Sequence, residues 1–388
     1  MNIRKLIRSL FVLLLATSCV ESYLPPAGAG EGNQMVIDGF IDGTKNQATV
    51  KLSHAVALDD ANQNPAESNA DVTIVSSSGK EYPLTESSAE NQRGIYSASG
   101  LVLDPGAKYQ LRVTTSAGRS YSSDEISLLQ SSSLDSLYWR PTDNFTGINF
   151  YVNAHDSENN TRYYRWTFDE TAEYFAPLYS IFKKGAGGNP FPRDSGEYVF
   201  QCWKTLPSTN IMIESTTRLA NDVVSDFPLY FIPKASPKLA TSYRMILTQR
   251  AISQVEYEFW SLMKKTTESI GGLFDPLPSQ VLGNVHSDSD AGEHVLGFFT
   301  GGYTRQKTVY VLFSQLPEQL RVGSGEQMQC EVRGVPLAEI PAGVDANEFY
   351  IATYGNPVTL GYTVASGPCA DCTKSGGTNA RPKDWPIF

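Results

Sequence analysis

The stretch LDPGAKYQLRV, residues 103–113, combines a Pro-Gly turn with an alternating strand. A Pro-Gly pair is favoured at the centre of tight turns. Tyr109, Leu111 and Val113 then alternate with polar residues, which places their side chains on one face of a strand. We therefore expect a strand with one apolar face, and Tyr109 at its start.

Short runs of β-branched or alternating residues occur on both sides of this strand. They are MVI at 35–37, ATVKL at 48–52, VTIV at 72–75 and GIY at 94–96. SSGK at 77–80 and SAGR at 116–119 have the composition of hairpin turns. Regular short strands separated by turns predict a β-sandwich for residues 34–130. The placement of Tyr109 resembles the tyrosine corner of immunoglobulin-like domains, and an ordinary Pro-Gly turn is the alternative.

Residues 131–388 are predicted to form a larger β-rich domain with one long helix. VYVLF at 309–313 has the pattern of a fully buried strand. Ser253 and Glu256 form a capping box at the start of a helix near residues 253–270. Its apolar stripe is formed by Val255, Phe259, Leu262 and Ile270. The fold class of the whole chain is therefore expected to be mainly β.

The first 18 residues have the composition of a lipoprotein signal peptide. Three basic residues precede the apolar run LFVLLL at 10–15, and small residues lead directly to Cys19. This run is too short to remain as a transmembrane helix. We expect cleavage before Cys19 and lipidation of its thiol, and a plain secretory signal is the alternative. Residues 19–33 contain Pro-Pro and repeated Gly, and are expected to form a flexible tether.

The charge balance argues against some classes of partner. The chain has 31 basic and 41 acidic residues, a net charge of −10. Loss of the three basic residues in 1–18 would leave 28 against 41, a net charge of −13. No Lys/Arg cluster offsets this acidity, so nucleic acid is not expected as a partner. Past the signal peptide, no run approaches about 18 consecutive apolar residues.

Four cysteines follow Cys19, namely Cys202, Cys330, Cys369 and Cys372. An even number in an exported protein predicts structural disulfides, with three possible connectivities that remain open. The Cys369-x-x-Cys372 spacing also occurs in redox and zinc sites. However, TKSGG at 373–377 is poor helix material for a redox site, and an oxidising compartment argues against free thiolates.

Binding candidates come from aromatic and acidic patterns rather than from a catalytic template. The sequence contains no metalloprotease, nucleophile-elbow, phosphate-loop or dinucleotide motif. Tyr164, Trp166 and Phe168 alternate on one strand face. Such rings could bind sugars or a partner barrel, or else fill a core.

A second candidate site is HSDSDAGEH at 286–294. Asp288, Asp290 and Glu293 are weak candidates for binding a calcium ion, because a tight loop can turn alternate carboxylates inward. A solvated loop between strands is the alternative. No other cofactor is expected.

Several motifs together are similar to one known family. They are VIDG at 36–39, CW at 202–203, GGLFDP at 271–276, VLGFF at 295–299, and CADCT at 369–373 with the following Gly-Gly. In this order they resemble the DUF4249 family of Bacteroidota outer-membrane lipoproteins, over essentially the whole chain after the signal peptide. The resemblance implies an association with TonB-dependent transporters and supplies no catalytic residue.

These observations predict a binding or accessory component rather than an enzyme. The expected function is that of a lipid-anchored protein of the outer membrane, exposed on the cell surface. It would capture a ligand or assist a TonB-dependent transporter or another β-barrel. One alternative is a surface hydrolase acting on glycans or peptides, whose carboxylate pair only a measured separation would reveal. Another is a structural or assembly factor for outer-membrane proteins.

Overall fold

The computed structural model describes residues 34–55, 65–268, 283–321, 330–355 and 359–386 of the 388-residue chain. The predicted signal peptide (1–18), the lipidation site Cys19 and the tether (19–33) lie outside the described residues. So do Ile270 of the predicted apolar stripe and the GGLFDP motif at 271–276.

Strands dominate the described part of the chain. The first twelve are β1 (Met35–Asp42), β2 (Gln47–His54), β3 (Asp71–Ser76), β4 (Glu81–Glu86), β5 (Ile95–Ser99), β6 (Lys108–Thr114), β7 (Ser120–Ser123), β8 (Ile126–Ser127), β9 (Ser133–Pro141), β10 (Gly147–Asp156), β11 (Tyr163–Phe175) and β12 (Phe182–Lys184). The others are β13 (Pro190–Pro192), β14 (Gln201–Pro207), β15 (Met212–Ser215), β16 (Asp222–Pro233), β17 (Ser242–Ala251), β18 (Val285–Ser287), β19 (Leu296–Gly302), β20 (Thr304–Leu312), β21 (Arg333–Pro336), β22 (Glu348–Tyr354) and β23 (Gly361–Ser366). The α-helices are α1 (Gln254–Glu268) and α2 (Gly367–Ala370). The predicted mainly β class with one long helix is confirmed.

The N-terminal strands form one ten-stranded sheet. Its order is β18-β7-β6-β3-β4-β5-β2-β1-β19, and β8 pairs with β6. Inward-facing residues such as Ile37, Val50 and Leu111 are fully buried in a common core. The predicted hairpin turns lie between β3 and β4 and between β6 and β7, where Gly79 and Gly118 adopt positive φ angles of 81° and 80°. Glycine reaches this region without a steric cost.

Tyr109 is bonded to the loop that precedes its strand, as the stretch at 103–113 suggested. Its hydroxyl accepts a hydrogen bond from the Asp104 amide at 2.7 Å and donates one to the Asp104 carbonyl at 2.9 Å. The side chain is fully buried, and burial raises the pKa of its hydroxyl. The immunoglobulin-like arrangement as a whole stays a prediction, because the pairing joins all ten strands into one sheet.

Two strands from late in the sequence complete this N-terminal sheet. β19 pairs in parallel with β1, and β18 pairs with β7. Val285, Val295 and Phe299 are buried in the N-terminal core. The strand pairing therefore does not follow the predicted contiguous division into 34–130 and 131–388. Because β19 is far from β1 in the sequence, no local sequence pattern predicts this pairing. In the structure β19 covers the edge of β1, which would otherwise be exposed.

The remaining strands form smaller sheets. A three-stranded sheet has the order β16-β10-β9, and a five-stranded sheet has the order β14-β11-β17-β20 with β15 pairing β11. Side chains of these two sheets share the second core, which includes Phe150, Trp166 and Tyr243. A β12-β13 hairpin and a β21-β23-β22 sheet follow. Strand β11 contributes side chains both to this core and to the site described below.

Helix α1 starts where the capping box was predicted but buries a different face. The Ser253 hydroxyl accepts a hydrogen bond from the Glu256 amide at 3.1 Å. Val255 is 63% exposed, whereas Glu256 and Phe259 are buried. The predicted stripe is therefore wrong at Val255. The Glu256 side chain is buried in its place, because ion pairs and hydrogen bonds satisfy its carboxylate. In the described residues, no helix has the length and apolar character needed to cross a bilayer.

Glu256 connects α1 to both large sheets. Its carboxylate accepts hydrogen bonds from Thr300 of β19 at 2.7 Å and from the Trp260 indole at 3.1 Å. The guanidinium groups of Arg250 and Arg165 lie 3.1 and 3.8 Å from it, and Arg165 stacks on Trp260 at 3.5 Å. A buried carboxylate persists when ion pairs and hydrogen bonds satisfy it, as they do here.

The four cysteines form two disulfides, as predicted. Cys202 bonds to Cys372 with a Cα–Cα distance of 5.8 Å, and Cys330 bonds to Cys369 with 5.9 Å. The two cysteines of the C-x-x-C pair therefore bond to different partners. This arrangement leaves neither of them as the thiolate that a zinc or redox site would need.

Candidate functional site: a cavity along strand β11

The predicted aromatic binding face is part of the second core. Tyr164 and Trp166 are fully buried, and Phe168 is nearly so. The Trp166 indole donates to the Gln249 side chain at 3.0 Å, and the Tyr164 hydroxyl donates to Asp222 at 2.7 Å. These residues are therefore inaccessible to an external ligand, which corrects their assignment as binding candidates. The three-stranded sheet packs over this part of β11 and excludes solvent.

In the predicted calcium loop, the three carboxylates accept hydrogen bonds from different groups of the protein. Glu293 accepts hydrogen bonds from the Tyr121 hydroxyl at 2.8 Å and from Ser287 at 2.9 Å. Burial and this bond raise the pKa of Tyr121 to about 12. Asp288 accepts from Ser122 at 2.6 Å, and Asp290 accepts from the amide of Gly292 at 2.9 Å. The geometry therefore gives the calcium prediction no support, and the described ranges contain no group of three His, Cys, Asp or Glu that could hold a metal.

A cavity of about 490 Å³ opens further along the same face of β11. Side chains two residues apart on a strand share a face, so Glu170, Ala172 and Tyr174 continue the row that begins with Tyr164. All three line the cavity, together with Lys204 and Leu206 of the neighbouring strand β14. The cavity thus begins where the covered part of β11 ends.

Tyr230 marks the boundary between the core and this β11 cavity. Its ring packs against Phe168 with 5.1 Å between centroids, and its hydroxyl accepts a hydrogen bond from Lys238 at 2.8 Å. Beyond it, β11 carries the small side chain of Ala172 in place of another ring. The space that a larger residue would fill is left open, and Pro237 and Lys238 line it from the 3₁₀ turn Pro237–Leu239.

A partly buried ion pair provides one polar edge of the cavity. The Lys238 ammonium donates to the Glu170 carboxylate at 2.6 Å, and the Tyr243 hydroxyl donates to the same carboxylate at 2.9 Å. Burial and the charge of Glu170 raise the pKa of Tyr243 well above its usual value. Burial alone would lower the pKa of Lys238, but its hydrogen bonds to Glu170 and Tyr230 raise it above 10.5. The negative charge of Glu170 is thus balanced by the positive charge of Lys238.

Lys204 provides a second cation with a weaker partner. Its ammonium lies 3.4 Å from the Ser375 carbonyl oxygen. The side chain is half-buried, and it pairs with no carboxylate in the described part of the chain. Because Ala172 lies opposite Lys204 in the β11–β14 register, this ammonium belongs to the same face as the cavity floor.

The C-terminal clasp, residues 367–378, forms another wall. Pro368, Cys372 and Ser375 of the clasp line the cavity, and the Cys202–Cys372 disulfide fixes it to β14. The Tyr174 hydroxyl donates to the Cys372 carbonyl at 2.8 Å. A Cβ atom at Gly377 would lie 2.2 Å from the Tyr174 hydroxyl oxygen, so the close approach requires glycine.

Aromatic rings extend from the cavity to the surface. Phe175 lines the cavity and packs against Phe200 at 5.1 Å. Phe200 meets the edge of Tyr179 at 5.1 Å, and Tyr179 stacks on Tyr198 at 5.3 Å. Tyr179 is 47% exposed. These four rings, the aromatic row, therefore give the apolar wall of the cavity an extension at the protein surface.

Sequence reasoning identified the correct strand but the wrong part of it. The alternation that drew attention to Tyr164, Trp166 and Phe168 continues through Glu170, Ala172 and Tyr174. The change from rings to a small residue at Ala172 was the only local signal of an opening. Nothing in the spacing of Lys204, Lys238 and the clasp indicated that they meet there.

The structure is thus that of a β-rich protein with a largely apolar cavity, and two lysines lie on the cavity wall. The sequence matches the family described as Domain of unknown function (DUF4249) over residues 20–308, which is more than half of the chain. The chain therefore belongs to the DUF4249 family. The floor of the β11 cavity lies inside the matched range, and the C-terminal clasp lies beyond it. No curated protein matches the sequence.

Proposed function

We propose that this protein binds a small ligand in the β11 cavity and works as an accessory to an outer-membrane transporter. The cavity itself is the observation that supports ligand binding. Its volume of about 490 Å³ lies within the range of roughly 300 to 1,000 Å³ that is typical of small-molecule sites. Apolar side chains line most of it, and a few polar groups are placed at its edge, which is the usual composition of such sites.

The proposed location follows from the N-terminal sequence. A signal-like segment ends at Cys19, and lipidation there would anchor the protein to the outer membrane of a Bacteroidota cell. The tether at 19–33 would hold the folded part away from the lipid surface and expose it outside the cell. The likeness to accessory lipoproteins supports a TonB-dependent transporter, or another β-barrel, as the partner.

Ligand binding is tested with a neutral fluorescent probe, N-phenyl-1-naphthylamine, and the full chain. We expect saturable binding, and we expect Ala172→Leu to weaken it because the added side chain fills the cavity. Ala117→Leu is the matched control, since Ala117 is exposed in the turn between β6 and β7. Loss of saturable binding in the control, or its persistence in Ala172→Leu, would argue against the cavity as the site.

The partner is tested by a mild-detergent pull-down from native membranes. Recovery of a TonB-dependent transporter supports the proposal. Recovery of the barrel-assembly machinery alone would favour an assembly factor instead.

A further inference from the structure

We infer that the ligand of the β11 cavity is a small organic anion with a flat apolar body, an inference that rests on the proposed function. It concerns the chemical class of the ligand, which the cavity volume alone leaves open. Two features carry it, namely the charges on the cavity wall and the aromatic rings beside them.

The charges on the wall leave one cation without an anionic partner. The wall has one carboxylate, Glu170, and two ammonium groups, Lys204 and Lys238. Glu170 and Lys238 form an ion pair at 2.6 Å. In the described part of the chain, the polar partner of the Lys204 ammonium is the Ser375 carbonyl oxygen at 3.4 Å. The wall thus has a net charge of about +1 in a protein whose overall charge is −10, which favours an anion at this place.

The Lys204 ammonium also disfavours cationic ligands and neutral ligands. A cation would meet an unpaired ammonium, while Glu170 is already bonded to Lys238 and Tyr243. A neutral apolar ligand would remove water from the Lys204 ammonium without replacing its hydrogen bonds, which costs free energy. An anion restores those bonds in a charge-assisted form.

The apolar wall favours a flat ligand body. Leu206 is 42% exposed, so part of its apolar surface has no cover from the protein. Phe175 and Pro237 also line the cavity. The row of rings from Phe175 to Tyr179 offers faces and edges on which a planar group can pack.

The test compares two probes with the same aromatic body. 8-Anilinonaphthalene-1-sulfonate carries a sulfonate, and N-phenyl-1-naphthylamine lacks it. We expect the full chain to bind the anionic probe about tenfold more tightly, as one charge-assisted hydrogen bond allows. Lys204→Gln should remove this preference without weakening the binding of the neutral probe, because the neutral probe gains nothing from the ammonium. Lys204→Arg should keep it.

Lys45→Gln is the control for removal of a positive charge, since Lys45 lies in the turn between β1 and β2 and is 53% exposed. A thermal unfolding curve for each variant identifies any loss of folding. Equal affinities for the two probes, or a preference that survives Lys204→Gln, would overturn the anion inference and leave the proposed function standing. Failure of both probes to bind the wild-type chain would count against the proposed function itself.

Discussion

Trp166 and Ala172 lie on the same face of strand β11, yet Trp166 is buried in the second core and Ala172 lines the β11 cavity. The strand thus changes from core to site along its length. Tyr230 is the last ring that covers it, and Lys238 is bonded to both the Tyr230 hydroxyl and Glu170. The first half of β11 therefore packs in the second core, and its second half lines the cavity.

Lys238→Met should destabilise the protein by about 1 to 3 kcal/mol, because it leaves the Glu170 carboxylate buried with one partner fewer. The pKa of Lys238 in the folded state is above its ordinary 10.5. Its contribution is therefore fully present below pH 10.5 and is lost as the pH rises through the folded-state value. Chemical denaturation should give the same stability difference from wild type at pH 6, 7.5 and 9. A difference that shrinks between pH 6 and 9 would contradict this assignment, and Lys234→Met, at an exposed lysine, should have little effect.

Gly377→Ala should destabilise the C-terminal clasp by about 1 to 3 kcal/mol, since the new methyl group would overlap the Tyr174 hydroxyl. Tyr174→Phe alone should cost about 1 kcal/mol through the lost bond to Cys372. Combined, the two changes should cost less than their sum, because removal of the hydroxyl relieves part of the overlap. Gly196→Ala is the control, as a Cβ there meets no atom within 4 Å. Simple additivity in the double variant would refute the contact.

Removal of the Cys202–Cys372 disulfide should lower stability more than removal of Cys330–Cys369. The sequence separations are 170 and 39 residues. Chain entropy then predicts costs of about 5 and about 4 kcal/mol. Only the first bond fixes a residue that lines the cavity. Binding of N-phenyl-1-naphthylamine should therefore weaken in the Cys202→Ala/Cys372→Ala variant and persist in Cys330→Ala/Cys369→Ala. The reverse order of effects would show that the clasp does not shape the site.

Glu256→Ala should cost about 3 to 5 kcal/mol, because it leaves Arg165 and Arg250 without their common carboxylate in a largely buried place. Equilibrium unfolding measures this loss. Glu258→Ala provides the matched control, since Glu258 lies two residues further along α1 and is exposed. Similar losses in both variants would mean that the buried cluster contributes little to joining the sheets.

Cys19→Ala should release the protein from the membrane fraction, because lipidation at this residue is the proposed anchor. Fractionation with a carbonate wash, followed by immunoblotting, measures the change. Wild-type protein should stay with the membranes. Retention of the Cys19→Ala variant after the wash would disprove lipidation as the sole attachment.

The sequence by itself determined the class of the fold and several local structures. Alternating short runs separated by turn residues predicted the strands, and the LDPGAKYQLRV stretch predicted a Pro-Gly turn followed by a strand with Tyr109 at its start. Ser253 marked the start of α1. The four cysteines that follow Cys19 predicted disulfides without their connectivity. These features depend on neighbours within a few residues, so the local pattern is sufficient.

Tertiary structure alone decided which strands pair over long distances and where the cavity lies. The parallel pairing of β1 with β19 joins residues about 260 positions apart, and no local periodicity encodes such a partner. The alternation on β11 was visible, but whether its side chains are covered depends on where the sheet of β16, β10 and β9 ends. Burial is a property of the packed elements, so only the tertiary structure separates the buried Trp166 from the cavity-lining Ala172.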